Sequence, residues 1–190
     1  MHVTGHVKGL KKGTLLLQKI EDTLLISVDS VSVHGDSSFE FSEEIDNPQM
    51  YYLYVRLKDG TLRDDRISFF AEPTEITINT TLDNFAVDAI ITGSKNEEVL
   101  NEYKRLTQRY ATKNLDYLES HFNALQDGND SLVKAIEKLR NDLVASKYLM
   151  TINFALNHND LELAPYLMIS EVPKANIKYL DTVYKTLTPK

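Results

Sequence analysis

Apolar residues change their spacing along the chain at Gly93-Ser94. Before this point they mostly alternate with polar residues, which is typical of half-buried strands, and after it they recur every three or four positions, as on one face of a helix. The sequence therefore predicts an α+β protein. We expect an antiparallel β domain over residues 1–93 and an α-helical region over residues 94–190.

The β half contains about eight short segments with alternating apolar positions, as in an antiparallel β-sandwich. Residues 50–57 give the clearest strand, and Asp59-Gly60 after it predicts a tight turn. The apolar phase slips between Val28 and Val31, which predicts a bulge or a bend where the strand changes sheets. The last predicted strand covers residues 85–91.

The α half begins with a capping box, because Ser94 is followed by Glu97 just before an apolar helical stripe. A break at residues 127–130 predicts a helical hairpin over residues 94–157. From residue 144 to 156 apolar residues occur all round the second helix, so we expect this part to be buried on several sides. Two short helices are predicted over residues 161–171 and 174–187.

Composition narrows the possible functions. The 190 residues include no cysteine, which excludes disulfides, thiol catalysis and thiolate metal sites. The net charge of −7 arises wholly from residues 1–94, and an acidic surface makes nucleic acid an unfavourable partner. We find no transmembrane segment and no signal peptide in the sequence, and no basic patch for anionic lipid.

No residue pattern indicates a catalytic or metal site. His2 and His6 would share a strand face about 13 Å apart, which is too far for one metal ion. The adjacent carboxylates in polar segments are expected to be solvated and ionised, and the segment at residues 127–130 lacks the glycine position and distal glutamate of a calcium loop. The sequence therefore predicts no catalytic residues, no cofactor and no metal. The adjacent carboxylates are Glu43-Glu44 and Asp64-Asp65.

One aromatic cluster is a candidate partner surface. Tyr52, Tyr54 and Arg56 would share the second face of the strand at residues 50–57, while Tyr51 points to the core. The alternative is structural, with these side chains covering a second sheet face or contacting the helices.

Several short motifs occur in an order along the chain that resembles the order in a known family. It is the domain of unknown function 4369, a β domain that precedes thioredoxin-like, AhpC-TSA-type domains in envelope proteins and lipoproteins of Bacteroidetes. The residues from Asn157 to Leu167 also resemble the segment that connects this domain to the thioredoxin module. The other motifs are Val3-Thr4-Gly5-His6-Val7, Val28-Asp29-Ser30-Val31, Phe39-Glu40-Phe41, Pro48, Phe69-Phe70-Ala71-Glu72-Pro73, Ile76-Thr77-Ile78 and Thr92-Gly93-Ser94 before Asn96.

The resemblance implies a location in the cell envelope, either periplasmic or held at the membrane by a lipid anchor that has been removed from this chain. It implies a downstream thioredoxin-like domain or another envelope protein as the partner. The redox activity of such proteins does not carry over, because this chain has no Cys-x-x-Cys and no thioredoxin domain.

These observations favour a non-enzymatic accessory or docking module of an exported envelope protein. A second hypothesis is a free-standing envelope module that binds peptide or glycan through the tyrosine face. A third is a hydrolase whose site the sequence does not reveal. The sequence leaves the oligomeric state and the identity of the partner open.

Overall fold

The computed structural model describes residues 1–188 and confirms an α+β fold, with eight strands in two sheets followed by four helices. Residues 189 and 190 of the predicted helical region lie outside the described residues. The chain divides into two compact units, Met1–Glu98 and the residues from Val99 onward. The elements are β1 (His2–Lys8), β2 (Lys12–Glu21), β3 (Leu24–His34), β4 (Ser38–Ser42), β5 (Gln49–Leu57), β6 (Ile67–Ala71), β7 (Glu75–Thr81), β8 (Ile90–Thr92), α1 (Lys95–Gln126), α2 (Asp130–Asn157), α3 (Leu163–Ser170) and α4 (Ile177–Thr186).

The two sheets have four strands each. The first has the order β4-β1-β7-β8 and the second has the order β3-β2-β5-β6. All pairs are antiparallel except β1 with β7, which run parallel with Val3 opposite Ile76. The chain alternates between the sheets: β2 and β3 lie in the second, β4 in the first, and β5 and β6 in the second, after which β7 enters the first sheet beside β1 in the same direction.

The predicted phase slip is a β-bulge in β3. Leu17 pairs with Asp29 and the next residue, Gln18, pairs with Ser27, so Val28 has no direct partner across the strand. Because of this extra residue, Val28 and Val31 both pack against the same core although they are three positions apart, which would place them on opposite faces of a regular strand. The strand stays in one sheet to its end.

The core of the β unit lies between the inner faces of the two sheets. Alternating apolar residues of seven strands meet there, together with Phe85 from the turns before β8. Residues 85–89 are therefore not strand, and β8 is shorter than the sequence predicts. Phe85 stays fixed because its carbonyl oxygen accepts a hydrogen bond of 2.7 Å from the buried Thr80 hydroxyl. The buried core residues are Val3, Val7, Leu10, Leu15, Leu17, Val33, Phe39, Phe41, Tyr51, Leu53, Val55, Ile67, Phe69, Ala71, Ile76, Ile78 and Phe85.

The helical unit has its own core at one end of the α1–α2 hairpin. The last turns of α2 contribute Ile152 and Ala155, which pack with residues of α3, α4 and the segment between them. On another side of α2, the Thr151 hydroxyl lies 2.9 Å from the Tyr103 hydroxyl of α1. The C-terminal part of α2 is thus buried on two sides, as its apolar residues predict.

Candidate functional site

The predicted tyrosine surface includes an arginine that sequence reasoning missed. Leu53 of β5 pairs with Ile67 of β6, so one step further along this antiparallel register Arg66 lies opposite Tyr54. The Arg66 Nη1 atom donates a 2.8 Å hydrogen bond to the Tyr54 hydroxyl. Its guanidinium carbon lies 4.7 Å from the ring centre of Tyr52, which is cation–π distance. The hydrogen bond to Tyr54 raises the pKa of Arg66, so its charge is permanent.

The three residues predicted for this surface differ in exposure. Tyr54 is only 7% exposed, Tyr52 is half-buried, and Arg56 is exposed. Arg66 contacts both Tyr52 and Tyr54, whereas Arg56 lies two residues beyond Tyr54 along β5. The register between the two strands was the signal that could have found Arg66. Whether the surface binds a partner stays a prediction.

A network of buried carboxylates holds the start of α1. Glu72, which follows β6, accepts hydrogen bonds from the Ser94 hydroxyl at 2.9 Å, the Asn96 amide at 2.6 Å and the Lys95 amide at 3.3 Å. The carboxylate therefore accepts hydrogen bonds from backbone amides at the start of the helix, where the helix itself provides no acceptors. A carboxylate at this position is also stabilised by the helix dipole.

The capping box adds a second carboxylate to this network. The Ser94 hydroxyl accepts from the Glu97 amide at 3.0 Å, as the sequence predicts. The Glu97 carboxylate accepts from the Phe70 amide of β6 at 2.8 Å. Both acidic side chains are buried and bind amide or hydroxyl donors, which ties the first turn of α1 to the end of β6.

The distal hairpin, which we define as residues 104–126 of α1 and 130–150 of α2, is almost uncovered. Only Ala124 and Ile136 are buried in it. Large apolar side chains are exposed on both helices, and those of Leu115 and Phe122 are 65% and 62% exposed. Two helices alone do not bury these residues. The exposed apolar residues are Leu106, Leu115, Phe122, Leu125, Leu132, Leu139, Val144 and Leu149.

A cleft of about 470 Å³ lies between the two helices of the distal hairpin. Its apolar lining includes Ala111, Leu143 and Val144, and its polar lining includes Asn114 and Arg140. The Arg140 Nε atom donates to the Asn114 side-chain oxygen at 3.4 Å, which is a long contact. The cleft therefore contains a half-buried guanidinium group with most of its donors available.

The other charged and phenolic groups of the cleft are already engaged. Lys147 forms a 2.9 Å ion pair with Glu171. The Tyr110 hydroxyl lies 3.4 Å from the Ser146 hydroxyl and accepts from Arg109 at 3.3 Å. The hydrogen bond with Ser146 lowers the pKa of Tyr110 below its usual range. Arg140 is thus the cation of the cleft that is best placed to receive a carboxylate.

Two tyrosine hydroxyls are buried, one in each unit. Burial raises the pKa of Tyr51 to about 12, with a smaller contribution from the charge of Glu43. Burial likewise raises the pKa of Tyr103 to about 12, against the hydrogen bond with Thr151. Among the described residues the Tyr51 hydroxyl has no hydrogen-bond partner, so it contributes to packing through its ring.

We expect these two hydroxyls to ionise late in an absorbance titration of the native protein. A pKa raised above the unfolded value of about 10 means that each group stabilises the fold below pH ~10 and loses this contribution as the pH rises to about 12. The variants Tyr51→Phe and Tyr103→Phe should each remove one equivalent from the late phase. In denaturant both phases should merge near pH ~10. A late phase that keeps both equivalents in either variant would contradict the assignment.

The candidate histidines of β1 bind neighbours and do not converge. His2 Nε2 lies 2.8 Å from the Glu40 carboxylate, and the His6 ring lies 3.2 Å from the Ser37 hydroxyl. No cluster of three or more metal-ligating side chains occurs within residues 1–188. In the same part of the chain, no helix combines the length and apolar character that crossing a membrane requires.

Comparison with known families identifies the β unit. The family model described as "Domain of unknown function (DUF4369)" matches residues 1–100. The chain belongs to this family. The match confirms the resemblance seen in the sequence. A comparison with curated proteins found no match.

The DUF4369 match ends shortly after the network at the start of α1. Glu72, Ser94 and Glu97 lie inside the matched residues, as do Tyr52, Tyr54 and Arg66. The distal hairpin lies wholly beyond residue 100. The carboxylate network is thus a feature of the DUF4369 region of this chain, and the hairpin is a separate candidate surface.

Proposed function

We propose that this DUF4369 protein is a non-enzymatic accessory or docking module whose working surface is the distal hairpin. The exposure of the hairpin carries the proposal. Only Ala124 and Ile136 are buried across residues 104–150, whereas eight large apolar side chains are exposed there. Large exposed apolar patches are rare on monomeric proteins and mark sites of interaction.

The engagement of the candidate reactive groups supports the non-enzymatic part of this proposal. Asp65 forms a 2.9 Å ion pair with Arg63, and His2 pairs with Glu40. The buried carboxylates of Glu72 and Glu97 bind amide groups of the chain itself. General acid–base catalysis needs a titratable group within reach of a substrate, and these groups are committed to other contacts.

We further propose that the module belongs to an exported envelope protein and positions a downstream thioredoxin-like domain or another envelope protein. The support is the resemblance of the chain to DUF4369 proteins that have this arrangement. The gene sequence beyond Lys190 tests the first alternative. A thioredoxin-like domain with Cys-x-x-Cys is the expected result, and a stop codon directly after Lys190 would contradict it.

Photo-crosslinking in the producing cells tests the docking role directly. A photoreactive amino acid would replace Phe122 or Leu115 on the hairpin, with Asp83 in an exposed loop as the background position. We expect adducts with another polypeptide from the two hairpin positions and none from Asp83. The absence of hairpin adducts, or equal adducts from all positions, would contradict the proposal.

A second candidate function uses the sheet surface. The exposed Arg56, together with the Arg66 guanidinium that lies on the Tyr52 ring, favours binding of a peptide or glycan there. A photoreactive residue at Arg56 distinguishes the two functions, since adducts from Arg56 without adducts from the hairpin would favour this alternative.

A further inference from the structure

We propose that the distal hairpin is covered by the distal hairpin of a second copy of this chain, related to the first by a twofold axis. The two hairpins would together form a four-helix bundle. The inference rests on the proposed function, because it names the occupant of the same surface. It is carried by the apolar row of α1, the charge order of α2 and the size of the exposed face.

One flank of α1 has a continuous apolar row. Ala111 lines the cleft, and Leu115, Leu118 and Phe122 follow it at intervals of four, three and four residues. Residues with this spacing lie on the same side of a helix. The row therefore continues the apolar wall of the cleft toward the turn of the hairpin.

On the same side of the hairpin, α2 has an acidic and a basic side chain next to each other in one row. A smaller depression beside the cleft is lined by Asn114, Glu137, Arg140 and Val144, and three of these residues also line the cleft. Glu137, Arg140 and Val144 are spaced by three and four residues, so they form one row. This row places an acid and a base side by side.

Neither charge of this row has a strong partner within residues 1–188. The Arg140 guanidinium makes only the 3.4 Å contact with Asn114. The Glu137 carboxylate lies 3.6 Å from His121 Nε2, and its side chain is 57% exposed. A buried or half-buried arginine gains most from a bidentate carboxylate, which the hairpin itself does not supply.

A twofold axis supplies the missing partners. In an isologous interface, each contact between residue i and residue j of the other copy occurs twice. An axis beside the Glu137-Arg140 row would bring Arg140 of each copy to Glu137 of the other. A second copy therefore meets both charges at once, whereas an unrelated partner would have to present an acid and a base in the matching order.

The size of the face fits a dimer. Each helix of the distal hairpin contributes about 22 residues, or ~33 Å, and two helices are ~20 Å wide. The face is thus about 660 Å² in projection, and its accessible area is larger because side chains project from it. A standard interface buries about 800 Å² per partner.

Analytical ultracentrifugation of the purified chain and of two charge variants tests the inference. We expect the wild-type chain to dimerise. Arg140→Glu places two acids in each row and Glu137→Arg places two bases, so each variant should self-associate at least about tenfold more weakly. An equimolar mixture of the two variants should recover the dimer as a heterodimer, because each acidic row then faces a basic row.

Matched control variants separate the effect of charges in the Glu137-Arg140 row from the effect of a changed net charge. Lys138→Glu makes the same charge change as Arg140→Glu, and Asp142→Arg the same change as Glu137→Arg, at exposed positions of α2 outside the row. Both controls should dimerise like the wild type. A variant that only misfolds is not rescued by a second misfolded variant, so recovery in the mixture is specific to the interface.

Three results would overturn the inference. They are a wild-type chain that stays monomeric at high concentration, a dimer that neither variant weakens, and variants that weaken the dimer but do not recover when mixed. None of these three results excludes the docking role, which the photo-crosslinking experiment tests separately. Adducts between Phe122 and a different polypeptide would support that role. Failure of both experiments would remove the proposed function as well.

Discussion

Replacing Gly93 by alanine is expected to lower the free energy of unfolding of the β domain by more than about 4 kcal/mol, which is exceptional for one methyl group. Gly93 follows β8 and has a φ of +97°, where side chains are strained. A Cβ at this position would also overlap the backbone carbonyl oxygen of Glu75 in β7. A backbone atom cannot move aside as a flexible side chain can, so β7 and β8 would have to separate. Urea denaturation followed by circular dichroism and tyrosine fluorescence measures the effect.

Gly35→Ala is the matched control for this prediction. Gly35 has the same φ of +97°, but a Cβ there would meet no atom within 4 Å. Its variant isolates the backbone strain, for which we expect about 1–2 kcal/mol. The difference between the two variants measures the close approach of Gly93 to β7. Equal losses would show that the strands yield easily, and would contradict the prediction.

The structure confirms local patterns that the sequence contains in neighbouring residues. The phase slip between Val28 and Val31 is visible because side chains alternate strictly in a strand, and a bulge is the standard way to restore the phase. The Ser94 cap is visible because donor and acceptor are three residues apart. In both cases the residues that decide the structure lie next to each other in the chain.

Features that depend on distant residues were not predictable in the same way. The parallel pairing of β1 with β7 joins segments about 70 residues apart, and nothing in either strand indicates its direction. Residues 85–89 have apolar spacing that fits a strand, yet Phe85 reaches the core from a turn, held by Thr80. Tertiary packing there overrides the local preference.

The candidate surfaces also differ in whether neighbouring residues in the sequence or only the folded structure reveal them. Tyr52 and Tyr54 were found from strand alternation, whereas Arg66 required the register between β5 and β6. The exposed hairpin residues could not be recognised from their spacing, because an apolar stripe predicts burial. Only the structure shows that Leu115 and Phe122 have no layer over them within the hairpin. Exposure, rather than pattern, therefore identifies the hairpin as the candidate docking surface.

Glu72 belongs to a short motif shared with the family, and its role depends on contacts with residues more than 20 positions away. It is 9% exposed and accepts three hydrogen bonds from Ser94, Lys95 and Asn96. The hydrogen bonds from the Asn96 amide and the Ser94 hydroxyl to this carboxylate are buried. Glu72 is thus one of the side chains that hold the start of α1, beside the Ser94 cap and Glu97.

Replacing Glu72 by alanine is expected to lower the free energy of unfolding by about 3 kcal/mol, since each buried donor left without an acceptor costs about 1–3 kcal/mol. Glu72→Gln keeps the volume but turns an amide N–H₂ toward donors, so we expect about half of that loss. Amide hydrogen exchange should accelerate at Lys95 and Asn96 in both variants, because the first helical turn loses both acceptor oxygens in Glu72→Ala and one of them in Glu72→Gln. Urea denaturation measures the stability.

Glu75→Ala provides the control for Glu72→Ala, because the exposed Glu75 side chain lies three residues away and carries the same charge. It should change the free energy of unfolding by no more than about 0.5 kcal/mol. Because the Glu72 network is buried, its contribution should also persist at high salt, unlike that of a surface ion pair. A loss for Glu72→Ala that equals that of Glu75→Ala, or that disappears in high salt, would mean that α1 begins without the carboxylate and that the tie between β6 and the helix lies elsewhere.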